Sequence, residues 1–214
     1  MQELERRLFE LYTAEIYPVL AAHDPEYKRA LSAIGIWANV REIPAEKSGA
    51  FANEMKLRAR LAAQAVAQAN SLEAGSVRAK LMEGREVFYR VASKGSKAPV
   101  GVWWFSERVA AKCREEAPKA GMTAFEWLRE MLAVCFNWSS FDQLESFELR
   151  AGERLPAVLG MGKPMPHYKV DARRGTVTLP ADYWKRKGQI LAGGERQIVL
   201  PWVPVGRVRK ISSL

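Results

Sequence analysis

Residues 86–106, EVFYRVASKGSKAPVGVWWFS, mark the point at which the sequence changes character. Branched and aromatic residues fill both ends of this stretch, and turn-forming residues fill its middle. The stretch therefore predicts two strands joined by a turn. Because the pattern before it is helical and the pattern after it is mostly strand-like, it marks where the sheet is expected to begin.

The chain upstream of this stretch has the composition of helices. Leu4, Leu8 and Leu11 recur on one helical face. The segment 50–75 is rich in Ala, Leu, Gln, Arg and Lys, which favour helix strongly. We therefore predict a helical extension over residues 1–84.

The chain downstream alternates irregularly between strands and helices. Helices are predicted at 106–117 and 122–136, with Ser106 and Thr123 at their N-caps. Strands are predicted at 143–152, 155–162, 196–202 and 206–211, with a hairpin turning at Arg174-Gly175 and a short helix at 181–188. A doubly wound parallel sheet is excluded, because it requires regular alternation.

These elements predict an α+β fold. The helical N-terminal part is followed by a mainly antiparallel, split β-sheet with inserted helices over residues 85–214. The change of pattern near residue 84 could be a domain boundary, or the helices could pack on the sheet as one unit.

Composition excludes several classes of protein. The chain has 214 residues, 48% of them hydrophobic, which suits one globular domain or one domain with a helical extension. Its two cysteines, Cys113 and Cys135, are too few for a disulfide scaffold or a cysteine-rich zinc site, and we expect buried thiols and no metal. With no signal peptide and no run of about 18 apolar residues, we expect no membrane contact. A cytoplasmic location is predicted, or delivery into a target cell without a cleavable signal.

Positive charge is concentrated in the C-terminal third of the chain. The net charge is +9, and residues 151–214 hold 12 Lys or Arg against 4 Asp or Glu. Such a patch attracts nucleic acid, an acidic protein or a phosphorylated ligand, or it serves only as a solubilising surface. The residues that would contact nucleic acid are Arg173, Arg174, Lys185, Arg186 and Lys187.

Several catalytic motifs are absent. There is no GxxxxGK[ST] loop, no GxSxG elbow and no HExxH sequence. The segment GMGKP at 160–164 has glycines and a lysine but lacks the following Ser or Thr of a phosphate-binding loop.

Three polar features remain in strand-like surroundings. Arg90 lies inside an apolar strand, where its charge needs a partner or a solvated cleft. Ser106 stands where a strand meets a helix. Glu195 and Gln197 follow the pair Gly193-Gly194 and, two residues apart on a strand, lie on one face.

Together these features resemble the arginine–serine–glutamate branch of the ADP-ribosyltransferase fold family. FYRV resembles the early arginine strand of that family, and WWFSERVAAKC resembles its serine strand with the following helix. ERQIVLPWVPVGRVRKI resembles the late E-x-E or Q-x-E strand with its aliphatic run and proline. The resemblance covers residues 86–214.

The resemblance implies a role for each residue of the constellation. Arg90 would bind the pyrophosphate or ribose of NAD, and Trp104 or Phe105 would stack on the nicotinamide. Ser106 would brace the end of the cleft. Gly193 and its neighbouring glycine would let the preceding loop move.

The late strand would carry the catalytic pair. Glu195 would activate the acceptor nucleophile, and Gln197 occupies the position of the glutamate that stabilises the ribosyl cation. An amide holds the ribose hydroxyl but supplies no negative charge. The chain is then an inactive relative that only binds, a member that cleaves NAD with glutamine at this position, or a form in which the glutamine was introduced so that a toxic protein could be produced.

The predicted function is that of an NAD-consuming ADP-ribosyltransferase or NAD glycohydrolase, in a bacterial toxin or effector. Its partners would be a protein or nucleic-acid acceptor and an immunity or antitoxin protein. The alternative is a nucleic-acid-binding subunit of a larger assembly that uses the basic C-terminal region. A third alternative is an interaction protein that uses its N-terminal amphipathic helices.

Overall fold

The computed structural model of the chain describes residues 3, 4, 6, 7, 66–94, 102–136, 138–168, 183–186, 188–200, 203 and 207–214. Residues 3, 4, 6, 7 and 66–69 are helical. The rest of the predicted helical extension up to residue 65 lies outside the described residues. The predicted hairpin turn at Arg174-Gly175 lies outside them as well.

Besides those helical residues, the described part of the chain contains three helices, a short 3-10 turn and nine strands. The helices are α1 (Glu107–Lys119), α2 (Ala124–Met131) and α3 (Tyr183–Arg186), and the 3-10 turn is Ala74–Ser76. The strands are β1 (Arg78–Glu83), β2 (Val87–Ala92), β3 (Trp103–Ser106), β4 (Gln143–Glu148), β5 (Arg154–Met161), β6 (Met165–Pro166), β7 (Ile190–Leu191), β8 (Arg196–Val199) and β9 (Arg209–Ile211).

Seven strands form one sheet in the order β1-β5-β8-β3-β2-β4-β9. Every neighbouring pair in this sheet is antiparallel. Strands β6 and β7 form a separate antiparallel pair. The prediction of a mixed α and β fold with a mainly antiparallel sheet is therefore confirmed.

The sheet begins earlier than the sequence predicted. Residues 78–83, placed in the helical extension, form β1, which pairs with β5 from Arg78 opposite Leu159 to Glu83 opposite Arg154. The segment RAKLME is composed of helix formers, but pairing with β5 supplies its backbone hydrogen bonds and buries Met82 to 2% exposure. The boundary predicted after residue 84 thus falls between two strands of one sheet.

The central strand β3 changes partner along its length. Trp103 and Trp104 pair with β8, whereas Phe105 and Ser106 pair with β2. The strands on either side of β3 therefore separate from it at opposite ends. This split in the middle of the sheet creates room for a cavity.

Helices α1 and α2 pack on one face of the sheet around Phe105, and their buried contacts include Val109, Cys113 and Leu128. The predicted capping box of α2 is confirmed, since Thr123 Oγ1 accepts from Glu126 N at 3.2 Å and the Glu126 carboxylate accepts from Thr123 N at 2.8 Å. No helix within the described residues is long and apolar enough to cross a membrane.

Helix α2 ends at Met131, before the predicted end at residue 136. Ala133 adopts a positive φ of 51°, which takes the chain out of the helix. Cys135 is therefore not helical, although it and Cys113 are both buried and neither forms a disulfide, as predicted. Burial raises the pKa of the Cys113 thiol to about 11, which makes it a poor nucleophile at neutral pH.

The segment after α2 is organised by one buried cation. The Arg129 guanidinium, whose residue is 8% exposed, donates to the carbonyl oxygens of Val134, Cys135, Ser139 and Ser140 at 2.9–3.3 Å. Its Cζ also lies 4.4 Å from the ring centroid of Phe136 and 4.7 Å from that of Phe141. Burial, followed by the nearby charge of Arg186, lowers the pKa of Arg129.

A second cation fastens the last strand to the sheet. The Arg207 guanidinium makes two hydrogen bonds of 2.9 Å to the Glu153 carboxylate and one of 2.6 Å to the Glu148 carbonyl. Burial raises the pKa of Glu153, but the bonds from Arg207 and from the Arg150 backbone outweigh it, so the net pKa lies below its usual value. Both side chains of this pair are less than a third exposed.

Replacing Arg129 is expected to destabilise the fold. Arg129→Met leaves four carbonyl groups without their donor, and we expect a loss of about 2–5 kcal/mol in the free energy of unfolding, measured by urea denaturation. Arg108→Met, on the exposed face of α1, is the matched control and should change stability by less than about 0.5 kcal/mol. Equal effects of the two substitutions would show that the Arg129 network contributes no stability.

The Glu153–Arg207 pair is expected to make stability depend on pH. The pKa of Glu153 is lower in the folded state than in the unfolded state. Its contribution to the free energy of unfolding is therefore complete above the unfolded pKa of about 4.3, and is lost as pH falls through the folded pKa. Glu153→Gln should therefore cost about 1–3 kcal/mol at pH 7 and progressively less below about pH 4, as measured by urea midpoints from pH 7 to pH 3. Glu83→Gln, in a pair that is 63% exposed on the glutamate side, should show neither effect.

Candidate functional site

A cavity of about 290 Å³ lies at the split of the sheet. Four of the predicted site residues line it, namely Arg90 from β2, Trp104 and Phe105 from β3, and Gln197 from β8. These three strands are neighbours in the sheet although they are far apart in the sequence. The tertiary structure thus brings most of the predicted cleft together.

Arg90 and Gln197 reach the cavity from different faces of the sheet. The register of β2, β3 and β8 places Arg90 on the face of Trp104 and Ile198, and places Gln197 on the face of Val199. Because β3 separates from β2 at one end and from β8 at the other, residues from either face line the same space.

Arg90 is balanced by a carboxylate across the sheet. Its Nε lies 2.8 Å from Glu145 Oε2, and the two side chains are 11% and 15% exposed. Its Cζ lies 5.6 Å from the ring centroid of Trp104. Burial lowers the pKa of Arg90, and the charge of Glu145 opposes that shift. The guanidinium therefore stays charged and is held in one orientation at the cavity wall.

Gln197 is buried and hydrogen-bonded to the end of α2. It is 8% exposed, and its Nε2 donates to the Leu132 carbonyl at 2.6 Å. A Cβ on Gly162 would lie 2.4 Å from that Nε2, so the amide also packs tightly against the backbone of Gly162. The amide retains Oε1 as a hydrogen-bond acceptor and a second N–H on Nε2 for other contacts.

The loop before Gln197 is hydrogen-bonded to α2 and to Gly162 in this structure, and its movement stays a prediction. Its backbone N–H groups donate to Glu130 and Met131 of α2 and to Gly162, at 2.7–3.2 Å. Gly193 has a φ of 68°, and a Cβ there would lie 2.4 Å from the Gly162 carbonyl oxygen. Gly193 is needed for this close approach of two backbones, because only glycine fits it.

Glu195 points to α1 and is not among the residues that line the cavity. Its carboxylate forms an ion pair with Lys112 and is 13% exposed. The hydrogen bond to Glu195 raises the pKa of Lys112. Glu195 and Gln197 lie on one strand as predicted, but only Gln197 reaches the cavity.

Ser106 also lies outside the cavity lining. It occupies the N-cap position of α1, where its side chain makes no capping hydrogen bond. Among the described contacts, the Ser106 side chain therefore makes none that would brace the end of the cleft as predicted.

Trp104 and Phe105 are packed into the sheet, each 1% exposed. Trp104 meets Phe147 edge to face at 6.1 Å, and Phe105 stacks on Tyr89 at 5.9 Å. Both rings therefore pack in the core.

Burial and a hydrogen bond to Glu107 raise the pKa of Tyr89 to about 12, so its hydroxyl stays protonated.

Of the basic residues in the alternative nucleic-acid hypothesis, the structure describes Lys185 and Arg186, and neither lines this cavity. Lys185 is exposed on α3, and the Cζ of Arg186 lies 4.2 Å from the ring centroid of Phe136. Arg173, Arg174 and Lys187 lie outside the described residues. The nucleic-acid hypothesis stays a prediction.

Among the cavity residues that the sequence did not single out are one exposed aromatic residue and one cation. Trp138, in the segment FNWSS, is 48% exposed. Lys163 belongs to the segment GMGKP, which was rejected as a phosphate-binding loop because it lacks the following Ser or Thr. Neither lies in a pattern with a local signature. A lysine beside glycines and a tryptophan in a polar loop were the only signals.

Comparison of the chain with family models, with curated protein sequences and with solved structures found no match. Within the described residues, no group of three or more His, Cys, Asp or Glu side chains is placed to hold a metal ion. The chemistry of the cavity is therefore what bears on function.

Placing a carboxylate at residue 197 is expected to destabilise the fold. Gln197→Glu would place an acceptor against the Leu132 carbonyl in a buried site, at a cost of about 1–3 kcal/mol near pH 7. Burial would raise the pKa of the new carboxyl. The loss should therefore shrink as pH falls through that pKa, because the protonated acid donates as the amide does.

Urea denaturation of wild type and Gln197→Glu from pH 8 to pH 5 measures this effect. Gln189→Glu, at an exposed glutamine, is the control and should change stability little at any pH. A Gln197→Glu variant as stable as wild type at pH 8 would show that the bond to Leu132 does not hold residue 197.

Proposed function

We propose that the chain binds NAD in the cavity at the split of the sheet and cleaves its nicotinamide–ribose bond. ADP-ribose would pass to water or to an acceptor, as the resemblance to ADP-ribosyltransferases implies. The observation that carries this proposal is that Arg90, Trp104, Phe105 and Gln197 line one cavity.

The charge of the cavity supports an anionic ligand. Arg90 and Lys163 line it, and no Asp or Glu is among the described lining residues. Guanidinium and ammonium groups bind phosphates through charge-assisted hydrogen bonds. The aromatic lining adds flat surfaces for a ring, and NAD offers both phosphates and rings.

The volume supports a ligand of nucleotide size. A cavity of about 290 Å³ is at the lower end for small-molecule sites. We expect it to enclose one nucleotide half of NAD, with the other half at its open mouth.

In the reaction, the bond between the ribose carbon and the nicotinamide nitrogen breaks, and nicotinamide leaves with the electron pair. The ribosyl group becomes positively charged until a nucleophile adds to it. Gln197 would accept a hydrogen bond from a ribose hydroxyl through Oε1, the acceptor atom of the amide, while Nε2 keeps its bond to Leu132. An amide orients the sugar without adding negative charge, so we expect slow turnover.

Glu195 would act on the nucleophile. Its carboxylate would take the proton of the attacking water or acceptor group after leaving Lys112, with which it is paired in this structure. The Lys112 side chain on α1 is 41% exposed, so solvent can replace its lost partner. A toxin or effector role with an immunity protein stays a prediction of the resemblance.

The test is release of nicotinamide from NAD by the full chain, alone and with cell extract. Wild type should release nicotinamide slowly, and Glu195→Gln should lower the rate about 100-fold, because it removes a base. Glu116→Gln is the matched control, since Glu116 lies 3.9 Å from the same Lys112. It should leave the rate unchanged.

Calorimetric titration with NAD separates binding from cleavage. Arg90→Lys keeps the charge but loses the planar fork, and we expect about tenfold weaker binding. If neither wild type nor Gln197→Glu releases nicotinamide, and NAD does not bind, the proposed function is wrong.

A further inference from the structure

The segment that follows α2 forms one wall of the cavity. Val134, Trp138, Ser139 and Phe141 all line the space. None of these residues belongs to the predicted cleft, whose members come from the strands. A ligand in the cavity would therefore contact this wall as well as the sheet.

The wall is held from two sides. Arg129 donates to carbonyl groups on both sides of Trp138. Ser93, at the end of β2, accepts from Ser140 N at 3.0 Å and lies 3.0 Å from the Ser139 hydroxyl. A wall fixed in this way loses little conformational freedom on binding a ligand.

Trp138 is presented on this fixed wall. At 48% exposure it is one of two exposed large hydrophobic residues within the described part of the chain, the other being Ile190. A tryptophan on a rigid segment provides a large flat surface for stacking. Trp104 and Phe105 cannot offer such a surface, because their rings pack against Phe147 and Tyr89.

Lys163 contributes charge to the same cavity. Its Nζ donates to the Asn70 carbonyl at 2.8 Å, which uses one of the three N–H groups of the ammonium. Arg90 is balanced by Glu145, whereas Lys163 has no salt bridge among the described residues. Lys163 is therefore the cavity cation with more capacity for an anion.

We propose that Trp138 stacks on a flat ring of the ligand and that Lys163 holds its anionic group. The ligand class is a nucleotide, and its identity as NAD rests on the proposed function. Within NAD the ring belongs to the nicotinamide or the adenine half, and mononucleotides distinguish the two.

Ring stacking is tested by calorimetry of the full chain with NAD, nicotinamide mononucleotide and AMP. Trp138→Ala should weaken binding of NAD and of one mononucleotide about tenfold, the size of a base–aromatic stack. Trp138→Phe should retain affinity close to that of wild type. Ile190→Ala, which removes the other exposed hydrophobic residue, should have no effect.

Fluorescence supplies a signature that a structural role would not produce. A stacked ring should quench Trp138, so the ligand-induced change of wild type should be lost in Trp138→Phe although that variant still binds. Thermal unfolding of each variant without ligand shows whether the fold is intact. An intact Trp138→Ala that binds NAD as wild type does would overturn the stacking role.

The charge role is tested by ionic strength. Lys163→Met should weaken nucleotide binding about tenfold and reduce its dependence on salt. Lys80→Met, at an exposed lysine of β1 outside the cavity, should do neither. Equal salt dependence in wild type and Lys163→Met would overturn the role of Lys163.

These outcomes are separable from those of the proposed function. Binding of NAD or a mononucleotide that depends on Trp138 and Lys163, without nicotinamide release, supports this inference and contradicts the cleavage activity. If both variants release nicotinamide and bind NAD with wild-type affinity, the cleavage activity is supported and this inference is contradicted. No binding of any of the three nucleotides by wild type would overturn both.

Discussion

The buried guanidinium of Arg129 is the interaction on which the candidate site depends. A charge inside a protein is tolerated only when its hydrogen-bonding capacity is met, and here carbonyl groups and two aromatic rings meet it. The same bonds hold the segment after α2 in place as one wall of the cavity. Trp138 lies on that wall. Its ring is therefore positioned by the hydrogen bonds of Arg129 to the carbonyl groups on either side of it.

The end of α2 also fixes the late strand that carries the catalytic pair of the proposed reaction. Three N–H groups of the loop 192–195 and the Gln197 amide donate to this helix terminus, whose last carbonyl groups lack partners within the helix, whereas Gly194 donates to Gly162. Gln197 therefore has a structural duty that a carboxylate could perform only in its protonated form. The bond to Leu132 is thus a physical reason for an amide, and not a carboxylate, at residue 197.

The charges of the cavity separate binding from cleavage. Lys163 and Arg90 make the space favourable for an anion, and Glu145 already balances Arg90. The carboxylate that cleavage would use, Glu195, is paired with Lys112 outside the lining. In the proposed function, nucleotide binding would therefore need no change in these ion pairs, whereas proton transfer would require the Glu195–Lys112 pair to open.

The sequence by itself determined the elements whose signals are local. Branched and aromatic runs specified β2 and β3, and Thr123 with Glu126 specified the start of α2, because strand propensity and capping depend on near neighbours. Segment 78–83 was misread for the same reason, since its composition favours helix and only its partner strand makes it extended.

Only the tertiary structure decided which residues meet. Four predicted cleft residues share a cavity because β2, β3 and β8 are neighbours, whereas Ser106 and Glu195 point elsewhere. Trp138 and Lys163 joined them without any local signature. Proximity across a sheet is set by strand order and by long-range packing, and no short stretch of sequence encodes either.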